Sequence, residues 1–389
     1  MKIKGVCYDV GRVLEGSLQR PAFNAQVVQR EVEIIQKDLH CNAIRIQGLD
    51  IHQLVAAAEI ALKQGLEVWL SPEMFEKSQE ETFDYLVEAA SAAELLRQRW
   101  PKLVFSLGSE LTLFMQGIVE GNNVMDRMNA PTFWGNIKAG KHNGPLNEFL
   151  AREHCAVKKV FHGNVTYFSV PLETVDWSLF DFIGVDLYRD ARIRDTYGGM
   201  IKPFLVHNKP VIIGEFGCCT YQGAEKLGGM GWAIMLGMMA EYLGSNLNLP
   251  KGIAEFLKIP TQVDGHYVRD EALQAVEITE QLGILDASGV NGAFVFTFVS
   301  PTLPYNRDPK HDLDMASYSL VKSYPEKETL EEIIRQTGKQ GRELLGVEVG
   351  PEALTKFIGE VGRHGSTYPD MPWEPKESFK AVGDYYYKH

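Results

Sequence analysis

Eight short apolar runs recur along the chain, many of them separated by helix-like segments, and few folds accommodate that alternation. The runs cover residues 3–8, 43–47, 66–71, 103–107, 165–170, 181–187, 210–215 and 292–298. Most are continuously apolar rather than alternating, the pattern of parallel strands covered on both faces. Between them, 22–39 carries apolar residues at Val27, Val28, Val32, Ile34 and Ile35, and 51–64 is alanine-rich and amphipathic. Residues 79–100 form a long helical pattern that halts at Pro101. Alternating strand and helix argues an α/β fold with a parallel sheet, and eight strands argue closure into a (β/α)8 TIM barrel. An open doubly wound sheet is the other arrangement of the same elements. A length of 389 residues suits one elaborated barrel, so a single domain over 1–389 is expected.

Three stretches depart from an ideal barrel. Residues 111–145, with Gly117, Gly121, Asn122, Asn123, Gly135 and Gly144, are expected to form a long loop after strand 4. After strand 7, 218–270 opens with Cys218 and Cys219, passes a Gly-Gly-Met-Gly-Trp run at 228–232, and continues as a Met-rich helix through Tyr242. Residues 324–365 are charged and read as a helical insertion before a final helix at 376–387. Long loops on the catalytic face shape substrate pockets.

A net charge of −12 disfavours nucleic acid as a partner, since phosphate binding needs clustered Lys and Arg. Five cysteines, without metal-type spacing, fit a reducing cytoplasm better than a disulfide framework. The first nine residues run straight into a strand pattern, so no secretory signal is expected. No stretch approaches ~20 consecutive apolar residues, so no membrane association is expected.

Two of the apolar runs close on a glutamate: Glu110 in Leu103-Val-Phe-Ser-Leu-Gly-Ser-Glu110, and Glu215 in Pro210-Val-Ile-Ile-Gly-Glu215. Burying an unpaired carboxylate is too costly for core filler. The carboxyl ends of parallel barrel strands are where catalytic residues collect. Strands 4 and 7 face each other across the mouth, leaving room for a sugar ring between the carboxylates. In a retaining glycosidase one carboxylate attacks the anomeric carbon while the other protonates the departing oxygen and later activates water. A rim salt bridge is the alternative reading for each glutamate alone.

The chain resembles the clan A glycoside hydrolases over nearly its whole length, from Lys4-Gly-Val-Cys-Tyr-Asp9 to Pro372-Trp-Glu-Pro-Lys-Glu-Ser-Phe-Lys-Ala381. It also resembles a bacterial and archaeal group labelled abortive infection proteins, a label that fixes no chemistry. The clan resemblance implies Glu110 as acid/base and Glu215 as nucleophile, with no cofactor and no metal. It matches Arg45, in Asn42-Ala-Ile-Arg-Ile-Gln47, to the strand 2 arginine that supports the nucleophile. It matches Tyr188, in Ile183-Gly-Val-Asp-Leu-Tyr188, to the hydroxyl beside it. Two positions depart from the clan. Ser109 stands where asparagine usually contacts the sugar 2-hydroxyl, and strand 8, Gly292-Ala-Phe-Val-Phe-Thr-Phe-Val299, lacks the usual tryptophan platform.

Other residues are candidates for substrate binding on their chemistry. Glu73 and Asp186 are further strand-end carboxylates, with sugar-hydroxyl binding and rim ion pairing both open; Asp9 has the same ambiguity. Trp134, Trp232 and Tyr305 are candidate stacking platforms for sugar C–H faces, with packing as the alternative. Trp69 shares that reading. A Cys218 or Cys219 nucleophile would need a histidine in reach, and His162, His207, His266 and His311 lie in no motif that predicts one. Asp308, His311, Asp312 and Asp314 could ligate a cation, with a solvated loop as the alternative; no His-Glu-x-x-His or Cys-x-x-Cys occurs. The expectation is a cytoplasmic, retaining β-glycosidase acting on short, imported carbohydrate substrates. A barrel that binds carbohydrate without cleaving it is the alternative.

Overall fold

The structure is a computed structural model that describes residues 1–14, 16–235, 237–238, 266–327, 329–336, 350–362 and 367–389. Eight strands close into a barrel: β1 (Ile3–Asp9), β2 (Ala43–Gly48), β3 (Glu67–Pro72), β4 (Leu103–Ser109), β5 (Asn164–Ser169), β6 (Ile183–Asp186), β7 (Val211–Phe216) and β8 (Gly292–Val295). Every neighbouring pair is parallel, and β1 lies between β2 and β8. The open sheet is thereby excluded.

The strands have two buried faces, which explains their continuous apolar runs. Cys7, Ala43, Trp69, Val104, Phe168, Ile212 and Phe294 fill the barrel interior as one cluster. Alternate residues such as Val6, Tyr8, Ile44, Ile46, Val68 and Leu70 face outward into the larger core beneath the helices. Three aromatics fit inside only where strands give up side chains. A Cβ on Gly5 would sit 2.3 Å from the Phe294 ring, and one on Gly214 would sit 2.2 Å from Phe168 and 2.4 Å from Asp186 Oδ1.

The principal helices are α1 (Ala25–Lys37), α2 (Ile51–Lys63), α3 (Gln79–Arg99), α4 (Asn143–Val160), α5 (Glu271–Ala287) and α6 (Glu377–Lys388). Helix α1 begins three residues later than its periodicity suggests, because the Asn24 side chain accepts from the Gln26 and Val27 amides as an N-cap. Asp50 and Asp270 cap α2 and α5 in the same way, and Ser78 with Glu81 forms a capping box on α3.

The stretch after β4 is not one loop. It is cut into short helices at Leu111–Phe114, Val124–Asn129 and Phe133–Lys138 before α4 begins. Between β5 and β6 only the single turn Trp177–Leu179 is helical. After β7, Gly228–Ala233 is a 3-10 helix; residues 236 and 239–242 of the Met-rich segment expected through Tyr242 lie outside the described residues. Val321–Ser323 pairs antiparallel with Trp373–Pro375, so the expected insertion leaves and rejoins the barrel through a two-stranded ribbon. Within it Pro351–Ile358 is helical, while residues 328, 337–349 and 363–365 lie outside the described residues. No helix among the described residues is long and apolar enough to cross a membrane.

Candidate active site

Strand pairing slips at three places near the carboxyl ends. The shifts fall between Ser106 and Ser109 (β4 on β5), between Val185 and Asp186 (β6 on β7), and between Ala293 and Val295 (β8 on β7). A bulge re-aims the side chains that follow it. Here it sets Asp186 opposite Glu215, and Glu110 at the first position beyond β4. One oxygen each from Glu110, Asp186 and Glu215 lies within 4.8 Å of the others.

Glu110 has φ 52° and ψ 37°, the left-handed region that side-chain-bearing residues rarely occupy. Such strain persists only where the surroundings impose it. The imposing groups are identifiable. The Glu110 amide donates to the Phe168 carbonyl at 2.8 Å, the Leu111 amide to the Tyr167 hydroxyl at 2.9 Å, and the Thr112 amide to Glu173 at 3.0 Å. Tyr167 donates in turn to Glu173 at 3.0 Å.

Glu215 is held on both oxygens. Its Oε1 accepts from Gln47 Nε2 at 2.7 Å and lies 3.3 Å from Arg45 Nη1, while Tyr188 donates to Oε2 at 2.9 Å. Arg45 is wholly buried, with its guanidinium 3.7 Å from the Phe168 ring centroid. It donates to Asp186 at 3.0 Å and to the Ser71 and Ser109 hydroxyls at 3.1 Å each, and lies 3.6 Å from Glu73. Ser109 donates to the other Asp186 oxygen at 2.8 Å. Ser109 is thus engaged with Arg45 and Asp186. Gln47 Nε2 also donates to Glu73 at 2.9 Å, and Arg12 joins Glu73 (3.7 Å) to Asp9 (2.8 Å) on the β1 side.

Loss of solvation dominates the titration of this mouth. Burial pushes the Glu110 carboxyl well up, and the charges of Asp186, Glu215 and Glu173 push it further. Burial lifts Asp186 to about 8 against the pull of Arg45, and lifts Glu73 to about 7 against Arg12 and Arg45. The Tyr188 phenol is raised well above its ordinary value by burial and by Glu215, so it acts as a neutral donor. Glu110, Asp186 and Glu215 could together hold a cation, but the Arg45 guanidinium already supplies positive charge to Asp186 and Glu215.

No family model matches the sequence, and no curated protein matches it. Solved structures do. A GH113 β-1,4-mannanase superposes with a TM-score of 0.55 at 13% identity, covering 100% of both chains. A calcium-binding mutant of Bacteroides uniformis β-glucuronidase 2 gives a TM-score of 0.50 at 13% identity, over 86% of this chain and 34% of that one. The fold is the (β/α)8 barrel of these glycoside hydrolases.

On that barrel the residues singled out from sequence fall into two groups. Arg45, Glu73, Ser109, Glu110, Asp186, Tyr188 and Glu215 converge at the mouth. The three loop aromatics have packing partners of their own. Trp134 stands edge-on to Phe133 at 5.0 Å. Trp232 packs on the cluster containing Cys218, Cys219 and Tyr318. Tyr305 lies against Tyr324, with Arg269 4.8 Å and Lys322 5.4 Å from its ring. Trp69 is core, and Asp312 and Asp314 are ion-paired with Arg269. Cys218 and Cys219 are buried, with thiols raised by that burial, which disfavours a thiolate nucleophile.

Gln47, Ser71, Arg12, Tyr167 and Glu173 join the site without having been singled out. Gln47 carried a readable signal: with Arg45 it makes a polar i, i+2 pair on one face of an otherwise apolar strand. Phe296, partly exposed just beyond β8, packs on Tyr188 and has the Arg12 guanidinium 5.0 Å from its ring.

Proposed function

We propose that the protein is a retaining β-glycoside hydrolase, with Glu215 as nucleophile and Glu110 as acid/base. The observation that carries this reading is the approach of one oxygen from each carboxylate to within 4.8 Å. Carboxyl groups roughly 5–5.5 Å apart suit double displacement, whereas an inverting pair needs roughly 6.5–9.5 Å to admit water. Their unequal surroundings support the assignment of roles. Glu110 is driven towards the neutral acid by burial and neighbouring carboxylates, while Glu215 accepts hydrogen bonds from Gln47 and Tyr188.

In the first step Glu215 forms a bond to the anomeric carbon as the glycosidic C–O bond breaks. The departing oxygen takes the proton of Glu110. In the second, Glu110 removes a proton from water, the water oxygen bonds to the anomeric carbon, and Glu215 leaves as carboxylate. Arg45 holds Asp186 and Glu215 in place, and Tyr188 steadies Glu215. Glu73 and Asp186 are assigned to the sugar-binding side of the mouth, acting through the residues they hold. Ser109 serves the sugar through Asp186, and Trp134, Trp232 and Tyr305 are left to more distant sugar units. The reading includes one catalytic unit over 1–389, clan A membership and a cytoplasmic location, which the five free thiols suit. The abortive-infection label adds no chemistry to it.

A panel of p-nitrophenyl β-glycosides and short β-linked oligosaccharides, β-mannosides included, tests the proposal on wild type beside Glu215→Gln. Turnover that collapses in the variant, with retained configuration in the first product seen by NMR, is expected. Turnover that survives the substitution overturns Glu215 as nucleophile, and sugar binding without turnover in either protein favours a binding barrel.

A further inference from the structure

Glu215 has two oxygens, and the residues around them differ in kind. Gln47 is wholly buried on β2, two residues beyond Arg45 and on the same face. Its Nε2 carries two N–H groups and two carboxylate acceptors, Glu73 at 2.9 Å and Glu215 Oε1 at 2.7 Å. Its own carbonyl oxygen is buried and has no hydrogen-bond partner among the described residues. Leaving a buried acceptor unsatisfied costs about 1–3 kcal/mol. The opposite orientation would set that oxygen against two carboxylates and strand both N–H groups, so Glu73 and Glu215 together fix which way the amide points. This amide is therefore held for what it donates.

Building on the retaining mechanism proposed above, we infer that Gln47 is a positioning residue for the nucleophile. With Arg45 it occupies Oε1 of Glu215, so that Oε2, the oxygen beside Tyr188, is the one that attacks the sugar. Oε1 already accepts from Gln47 and faces Arg45 Nη1 at 3.3 Å, whereas among the described residues Oε2 has the Tyr188 hydroxyl at 2.9 Å. During attack Oε2 forms the bond to the anomeric carbon as the glycosidic bond breaks, and the proton on the leaving oxygen comes from Glu110. The charge left behind by the leaving group does not pass to Gln47, which stays neutral and only orients. Losing it lets the carboxylate rotate about its last bond, and misplacement of a reacting atom by ~1 Å costs on the order of 10²-fold in rate.

Gln47→Met keeps the volume and removes both donors. On the p-nitrophenyl β-glycoside that wild type cleaves fastest, the variant is expected to lose between ~10-fold and ~100-fold in kcat, with KM within about twofold. The same loss is expected on the 2,4-dinitrophenyl glycoside, because orientation of the nucleophile matters whatever the leaving group. In a crystal of wild type trapped with the matching 2-deoxy-2-fluoro sugar, the ester is expected through the oxygen nearest Tyr188. An ester through the oxygen that faces Arg45 and Gln47 overturns the inference, as does a Gln47→Met enzyme with unchanged kcat. Gln47→Glu, which keeps the shape but donates only when protonated, provides the same reading should the methionine variant not fold. Silence of wild type on the whole panel sinks the retaining mechanism and this inference with it. Failure of the inference alone leaves wild type active and Glu215→Gln dead.

Discussion

Glu215 receives donors on both oxygens, from Gln47, Arg45 and Tyr188, within a lattice that runs on to Glu73, Asp186 and Ser109. Across the mouth, Glu110 sits partly exposed on left-handed backbone, its carboxyl raised by burial and by the charges around it. The Glu110 side is restrained through its backbone, by Tyr167 and Glu173 gripping the two residues that follow. The Glu215 side is restrained through its carboxylate. A nucleophile needs a fixed, ionised head; an acid/base must trade protons with a leaving group and then with water, and a carboxylate saturated by donors could not. In the proposed mechanism, two identical side chains acquire two chemistries from their neighbours.

That contrast breaks most visibly on substitution. Glu215→Gln is expected to cost on the order of 10⁴-fold or more in turnover on every substrate, since no second step can replace its bond to carbon. Glu110→Gln should divide substrates instead. Poor leaving groups need its proton and are expected to lose between ~10² and ~10⁴-fold, while a dinitrophenyl glycoside keeps most of its kcat/KM. Added azide should restore turnover to the Glu110 variant alone by taking the place of activated water. Equal losses on both leaving groups would remove Glu110 from the acid role.

Arg45 is the structural pivot of the Glu215 side. Its guanidinium is buried against Phe168 and contacts Asp186, Glu73 and Glu215. Arg45→Met leaves those carboxyls without a cation, and breaking a buried ion pair from one side costs about 3–5 kcal/mol. Urea unfolding of the variant at pH 9, above the raised values of Asp186 and Glu73, should show that loss as an earlier midpoint with an unchanged slope. A midpoint shift worth less than about 1 kcal/mol would mean that the carboxyls are held neutral and need no guanidinium.

The barrel was readable because both faces of its strands are buried, so each strand announces itself as a continuous apolar run. Glu110 and Glu215 were readable as charges closing such runs. What escaped was set by closure. The bulges at Ser106–Ser109 and at Val185–Asp186 are one-residue slips that no periodicity records, yet they decide which side chains turn into the mouth. Tyr167 and Glu173 looked like strand and loop residues until the chain brought them beneath Leu111 and Thr112. Gln47 was within reach, since a second polar residue two positions after Arg45 belongs to the same face. The loop aromatics were less legible for a different reason. Trp134 and Tyr305 satisfy local partners in their own segments, and an aromatic in a long loop carries no address.

The smallest effect separates the mouth from the helical rim by the sign of its pH dependence. Asp186 has a folded-state pKa of about 8 and Glu73 of about 7, both raised chiefly by burial, against unfolded values of about 3.9 and 4.3. Between those limits the folded chain binds more protons than the unfolded one, so stability falls as pH rises. The contribution is fully present below about pH 4 and is gone once pH passes about 8. Glu94 on α3 behaves oppositely, since its hydrogen bond with Arg97 lowers it to about 2 and its contribution is lost only as pH falls through that value. The thermal midpoint of wild type should therefore drop by a few degrees between pH 6 and pH 9. Asp186→Asn, which cannot titrate but still accepts from Arg45, should flatten that drop, whereas Glu94→Gln should leave it intact. A midpoint that rises over the same interval would mean that Asp186 and Glu73 are ionised throughout.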